Sequence, residues 1–167
     1  MKNHIKVNFL FFTILVLQLL SCVGTNYKKL SLEDPNALIE IEDSLLTVNK
    51  NNQSINDAIV IANNNVAKNY LNSNDLTFAI KHFEKAISIN EYNKDSQYGL
   101  MIAEGRVLIK RGNKNGIWDA IEKFSKASSI FPKKGEPFYW IAVSYTKLGD
   151  TEFDLILESY EKSLSLE

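Results

Sequence analysis

The residues that could carry chemistry are few in this sequence, which contains one cysteine, Cys22, and two histidines. These are too few for a Cys/His zinc site. His82 lies on the outer face of a predicted helix, where a solvated or half-packed imidazole is favoured over a general base. Gly112 and Gly116 lack the spacing of a phosphate-binding loop and indicate a turn. We therefore expect no catalytic residue, no metal, no cofactor and no enzyme activity.

The charge balance of the chain argues against one class of partner, nucleic acid. The chain has 19 Lys and Arg against 20 Asp and Glu, a formal net charge of −1. Such a balance gives no basic field to hold a nucleic-acid backbone, so we expect no nucleic-acid partner. The length of 167 residues, 45% of them hydrophobic, is enough for one compact domain with a sizeable core.

The surroundings of Cys22 indicate export. Lys2 and Lys6 precede an apolar run from Val7 to Leu20, and Cys22 follows it after one serine. A run of about 14 residues is shorter than the roughly 20 that a helix needs to span a bilayer, and it is typical of an export signal. An exported protein with one unpaired thiol risks oxidation. Acylation of Cys22 would remove that risk.

The sequence Leu19-Leu20-Ser21-Cys22 resembles the lipobox of bacterial lipoproteins. The resemblance implies a signal peptide over 1–21, acyl chains such as palmitate on Cys22, and a lipidated tether over 22–33. Several acyl chains hold a protein at a membrane without spanning it. The implied location is the bacterial cell envelope, at the periplasmic face or the cell surface. An ordinary secretory signal that ends near a free cysteine is the alternative.

One pattern recurs three times in the rest of the chain, over 79–89, 120–130 and 156–166. Each copy has a small or apolar residue at its first position, an aromatic residue four positions later and a small residue three positions after that. The aromatic residues are Phe83, Phe124 and Tyr160. These positions share one face of a helix. A small residue beside an aromatic one lets a neighbouring helix approach closely, so the pattern predicts paired helices.

A second apolar stretch precedes each copy and ends in a turn at Asn74, Gly112 or Gly149, residue types that tolerate a left-handed backbone. Together these positions resemble the tetratricopeptide repeat (TPR) family, whose unit is a helix-turn-helix of about 34 residues. The resemblance implies an all-α, TPR-like α-solenoid of about three repeats with an N-terminal covering helix. Its expected segments are 34–58 for that helix and the start of the first repeat helix, 60–93 for TPR 1, 98–134 for TPR 2 and 135–167 for TPR 3.

Two positions and one length depart from the simple repeat. Asn63 and Glu104 stand where the family pattern has apolar residues. The second repeat is also longer than the others between its two helices, and we interpret residues 113–119 as a loop. This loop either exposes Ile117 and Trp118 to a partner or folds back over the start of the following helix.

In TPR proteins the first helix of each repeat lines a concave groove that binds partners. Carried onto this sequence by the resemblance, the groove contains Ile61, Asn64, Lys68, Leu71, Ile102, Arg106, Ile109, Tyr139, Val143 and Thr146. For each of these residues, packing against an adjacent helix is the alternative.

The chemistry of these residues suggests roles in binding. Asn64 can hydrogen-bond an extended backbone, Lys68 and Arg106 can attract an acidic group, and Tyr139 can act as an amphipathic anchor. The carboxylate clamp of some TPR proteins is not expected, because the clamp positions hold Ala103, Glu136 and Trp140.

The leading hypothesis is a membrane-anchored TPR scaffold that binds another envelope protein, in outer-membrane assembly, secretion or transport. A surface lipoprotein that binds host molecules is one alternative. A solute-binding protein or an enzyme is another, but it needs a closed polar pocket that three repeats seldom form. No small-molecule substrate is therefore expected.

Overall fold

The computed structural model describes residues 26–49, 51–149 and 153–166. Within these ranges all regular secondary structure is α-helical and no strand occurs, so the predicted all-α fold is confirmed. The predicted signal peptide 1–21 and the lipidation site Cys22 lie outside the described residues.

Nine helices occur in the described ranges. In chain order they are α1 (26–33), α2 (Pro35–Glu40), α3 (Glu42–Val48), α4 (Gln53–Asn72), α5 (Leu76–Ile89), α6 (Lys94–Arg111), α7 (Lys114–Ile130), α8 (Glu136–Leu148) and α9 (Phe153–Leu164). Contacts divide the chain into two compact units, one up to Asn65 and one from Val66 onward, and the division falls inside α4.

The first unit is built around a small apolar cluster of Leu38, Ala58 and Ala62. Helix α2 begins at Pro35, and the Asp34 side chain caps it by accepting a hydrogen bond from the Ala37 amide at 3.1 Å. The segment 34–58, in which an N-terminal covering helix is expected, contains a break, because Ile41 separates α2 from α3. The break accompanies burial of the following residue, Glu42, whose carboxylate is bonded within the unit.

The described part of the segment 22–33, for which a lipidated tether is expected, is helical, because residues 26–33 form α1. Tyr27 and Leu30 pack against the Leu38 cluster, and Ser31 is buried. The Asn65 side-chain amide donates to the Ser31 carbonyl at 3.1 Å. These three residues of α1 lie on one helical face. A stripe with only two apolar members was too weak to indicate a helix from the sequence.

The second unit consists of helices that pack on their sequence neighbours, α5 on α6, α6 on α7, α7 on α8 and α8 on α9. Phe83 and Phe124 are completely buried in its core. A Cβ added at Gly105 would lie 2.5 Å from the Phe124 ring, and one added at Gly99 would overlap the Phe83 ring. Glycine at these two positions therefore permits the close approach of α6 to both α5 and α7, as the TPR-like pattern predicts.

The loop expected over 113–119 is wrong, because these residues extend α7 at its amino-terminal end. Asn113 caps the helix by accepting a hydrogen bond from the Gly116 amide at 2.7 Å. Ile117 is buried, whereas Trp118 is 43% exposed and meets Tyr145 edge to face with ring centroids 6.0 Å apart. The extra residues of the second repeat are thus an additional helical turn whose apolar side enters the core.

Candidate protein-binding surface

Two of the predicted groove residues, Ile61 and Asn64, belong to the first unit. Ile61 is half-buried, while Asn64 is only 5% exposed. Asn64 therefore has little accessible surface for an extended backbone, and its role as a hydrogen-bond partner stays a prediction.

Three groove residues of the second unit pack within the core: Leu71, Ile102 and Ile109. Ile102 is 0% exposed, and the other two are also buried. These three residues thus match the alternative of packing within the protein. The groove residues of this unit with accessible surface are Lys68 on α4, Arg106 on α6, and Tyr139, Val143 and Thr146 on α8.

Arg106 is the most constrained of the accessible residues. Its two terminal nitrogens donate to the Leu71 carbonyl at 3.1 Å and to the Asn74 side-chain oxygen at 2.9 Å. Its Cζ atom lies 4.7 Å from the centroid of the Trp140 ring, within cation–π range. Asn74 has the positive φ of 62° that closes the turn between α4 and α5. The guanidinium therefore joins this turn to α8.

Burial lowers the pKa of the Arg106 guanidinium from its ordinary value, while Glu136 and Tyr139 act in the opposite direction. Arginine remains protonated at physiological pH after such shifts. The site thus carries a fixed positive charge in a half-buried setting, where water screens it less than at an open surface.

Tyr139 stands at the exposed side of an aromatic group on α8 and α9. It is 45% exposed, and its ring meets the Trp140 ring at 5.1 Å and the Tyr160 ring at 6.0 Å, both edge to face. Trp140 in turn stacks on the buried Phe124 ring at 6.2 Å. These contacts restrict the Tyr139 ring before any partner binds, which reduces the entropic cost of binding.

Glu136 is engaged within the protein. The Tyr98 hydroxyl donates to its carboxylate at 2.7 Å, which links the start of α6 to the start of α8. Burial, followed by the nearby Glu136 carboxylate, raises the pKa of Tyr98 far above its ordinary value, so the phenol stays neutral and keeps its donor. A clamp position must donate hydrogen bonds to a partner's carboxylate, whereas the Glu136 carboxylate can only accept them.

Lys68 faces an acidic neighbour, Asp95, on the following hairpin. Its Nζ lies 4.0 Å from the Asp95 carboxylate, and both side chains are about half exposed. A pair in this position is weak because water screens it. Asp95 nevertheless offsets part of the charge that Lys68 was expected to offer, so Arg106 is the stronger point of attraction for an acidic partner.

A cleft of about 360 Å³ opens beside Arg106. Its lining residues are Asn74, Leu76, Arg106, Ile109, Lys110, Trp140 and Lys147. The sequence indicated Arg106 and Ile109 as groove residues and Trp140 as an anchor beside Tyr139, but not the two lysines. The missed signal was spacing, since Lys110 follows Arg106 by one helical turn and Lys147 follows Trp140 by two.

Other kinds of site are not apparent in the part of the chain that the structure describes. No group of three or more His, Cys, Asp or Glu side chains is placed there to hold a metal ion. None of the helices in the same ranges has the length and apolar character needed to cross a membrane.

The described helices define a protein of the TPR-like helical-repeat class. No protein-family model matches the chain, and no curated protein matches its sequence. Among solved structures it is similar to MamA from AMB-1, with 19% identity over 87% of this chain and 75% of that one and a TM-score of 0.48. A second MamA structure is 20% identical, with 85% of each chain covered and a TM-score of 0.45.

Proposed function

We propose that this protein is a lipid-anchored TPR-like scaffold that binds another protein of the bacterial cell envelope. Its surface would serve outer-membrane assembly, secretion or a transporter. The observation that carries the binding proposal is the exposed Tyr139 ring, held by Trp140 and Tyr160 and set near the fixed charge of Arg106. Aromatic and arginine side chains of this kind dominate the energetics of protein interfaces.

The anchoring part of the proposal rests on the sequence around Cys22. A charged start, the short apolar run Val7 to Leu20 and a cysteine directly after Ser21 support attachment through acyl chains. A membrane anchor would confine the scaffold to the surface where its partner resides. The partner then need not bind tightly, because a shared membrane raises the effective concentration of both proteins.

Site-specific photo-crosslinking in intact cells tests the binding surface. A photoreactive phenylalanine analogue replaces Tyr139 in one sample and Tyr92 in the control. Tyr92 lies outside the candidate binding surface and is 80% exposed. We expect one discrete adduct from position 139 and none of that size from position 92. Adducts of equal yield from both positions, or none from position 139, would contradict the proposal.

A second arm of the same experiment tests the anchor. Cells are supplied with labelled fatty acid, and wild-type protein is compared with Cys22→Ala. We expect the label and the membrane association only in the wild type. Soluble, unlabelled wild-type protein would reject the lipid anchor while leaving the crosslinking result to stand on its own.

A further inference from the structure

The cleft beside Arg106 carries three positive charges at its rim. Arg106 and Lys110 come from α6, and Lys147 comes from the last turn of α8. Among the residues that the structure describes, no carboxylate lies within ion-pair distance of any of the three. One carboxylate, that of Glu136, acts on Arg106 and keeps its negative charge while it accepts the hydrogen bond from the neutral Tyr98 hydroxyl, so three cations stand against this one anion. A local excess of positive charge thus occurs on a chain whose net charge is −1.

The groups around the cleft differ in mobility. Arg106 is fixed by the Leu71 carbonyl, the Asn74 side chain and the Trp140 ring, and these contacts use only two of its N–H donors. Lys110 and Lys147 are exposed and have long, flexible stems. A rigid guanidinium sets the position of an incoming anion, and the lysines can adjust to it from both sides.

Part of the cleft wall is apolar. Ile109, Leu76 and the Trp140 ring contribute to its lining. A volume of about 360 Å³ exceeds what a single small ion would fill, since one water occupies about 30 Å³. The shape therefore suits an acidic side chain together with part of the backbone that carries it.

We propose that this cleft binds the carboxylate side chain of an acidic segment in a protein partner, with the carboxylate against Arg106 and within reach of Lys110 and Lys147. This inference rests on the proposed scaffold function and names the chemistry of the partner. Arginine and carboxylate form charge-assisted hydrogen bonds that are shorter and stronger than neutral ones. The lysines mainly accelerate encounter and add a dependence on salt.

The test uses a short fluorescein-labelled peptide of alternating glutamate and glycine, with the matching glutamine peptide as its neutral control. Binding to the full-length protein is followed by fluorescence anisotropy at low salt. The variant K110Q/K147Q removes two exposed charges of the cleft. The control K81Q/K133Q removes two exposed charges elsewhere and changes the net charge equally.

We expect the cleft variant to weaken binding of the glutamate peptide about tenfold and the control variant by less than about twofold. Rising ionic strength should weaken the wild type more than the cleft variant. Equal losses in both variants, or equal binding of the glutamine peptide, would overturn the proposal. Binding of a phosphoserine peptide at least tenfold tighter than the glutamate peptide would overturn the choice of a carboxylate ligand.

The outcome is separable from that of the scaffold proposal. If the Tyr139 crosslink survives in K110Q/K147Q with undiminished yield, the scaffold stands and the acidic-segment inference fails. If the crosslink is lost in that variant but kept in K81Q/K133Q, both stand. If the wild type forms no crosslink while the glutamate peptide binds selectively, the cleft stands and the scaffold surface at Tyr139 fails.

Discussion

The two units of the molecule bring their helices together through different kinds of buried contact. In the second unit, buried rings meet glycines, as Phe124 meets Gly105, and no polar side chain is needed at the contact. In the first unit, a buried amide meets a buried carboxylate, since the Asn63 side chain donates to Glu42 at 2.7 Å and also to the Ile59 carbonyl at 3.1 Å.

The difference shows what a repeated pattern can and cannot encode. Ring-on-glycine packing depends on shape and recurs wherever the spacing recurs. Amide-on-carboxylate packing depends on direction, and a buried polar group that loses its partner destabilises the fold. We therefore expect volume changes to matter most in the second unit and polarity changes in the first.

The largest effect is expected from removing a ring in the second unit. Phe124→Ala should lower the free energy of unfolding by about 3–5 kcal/mol, because it opens a cavity in a fully buried site. Chemical denaturation monitored by circular dichroism measures the loss. A loss below about 1 kcal/mol would show that the core around Phe124 collapses freely, contrary to the close packing described here.

The glycine opposite this ring gives a sharper version of the same test. In the wild type, Gly105→Ala should destabilise by about 1–3 kcal/mol, because its Cβ would lie 2.5 Å from the Phe124 ring. In the Phe124→Ala background the same change should stabilise by about 1 kcal/mol, since alanine is the better helix former. The same sign in both backgrounds would refute the contact.

A smaller effect is expected in the first unit. Asn63→Leu should destabilise by about 1–3 kcal/mol, because the buried Glu42 carboxylate loses a hydrogen-bond donor although the side chain keeps the same number and branching of heavy atoms. A double-mutant cycle with Glu42→Gln isolates the pair. A coupling free energy near zero would mean that polarity does not hold this unit together.

The smallest effect is expected at a partly exposed ion pair. The Lys123 ammonium lies 2.6 Å from the Glu104 carboxylate, with about a third of each side chain exposed. Lys123→Met keeps the apolar stem and should cost less than about 1 kcal/mol, since solvent screens such pairs. A cost as large as that of Asn63→Leu would remove the distinction between surface and buried polar contacts.

The sequence predicted the repeated hairpins because their spacing is directly visible in it. Small and aromatic residues at fixed separations define helical faces without knowledge of the tertiary structure. Glu104 and Asn63 departed from that pattern, and each has a polar partner distant in sequence, Lys123 and Glu42 respectively. Such pairings could not be predicted, since they depend on the packed arrangement.

Three other features escaped prediction for physical reasons. Helix α1 has too few apolar residues to show a period. Its buried residue Ser31 is polar, and the Ser31 backbone carbonyl accepts a hydrogen bond from the Asn65 side chain. The extension of α7 depends on the Asn113 cap, whose sequence resembles a turn. The cleft beside Arg106 consists largely of basic and polar side chains from separate elements, which hydrophobic periodicity does not register.

The hydrogen bond from Tyr98 to Glu136 has a consequence for selectivity. It ties the first turn of α6 to the first turn of α8, and the Lys134 ammonium lies 4.2 Å from the Tyr98 ring centroid. Spreading these helices apart would break a partly buried charged hydrogen bond. Arg106 and Tyr139, one on each helix, are therefore held at a set separation. We therefore expect a partner whose contacting residues are spaced differently to bind the proposed surface less tightly.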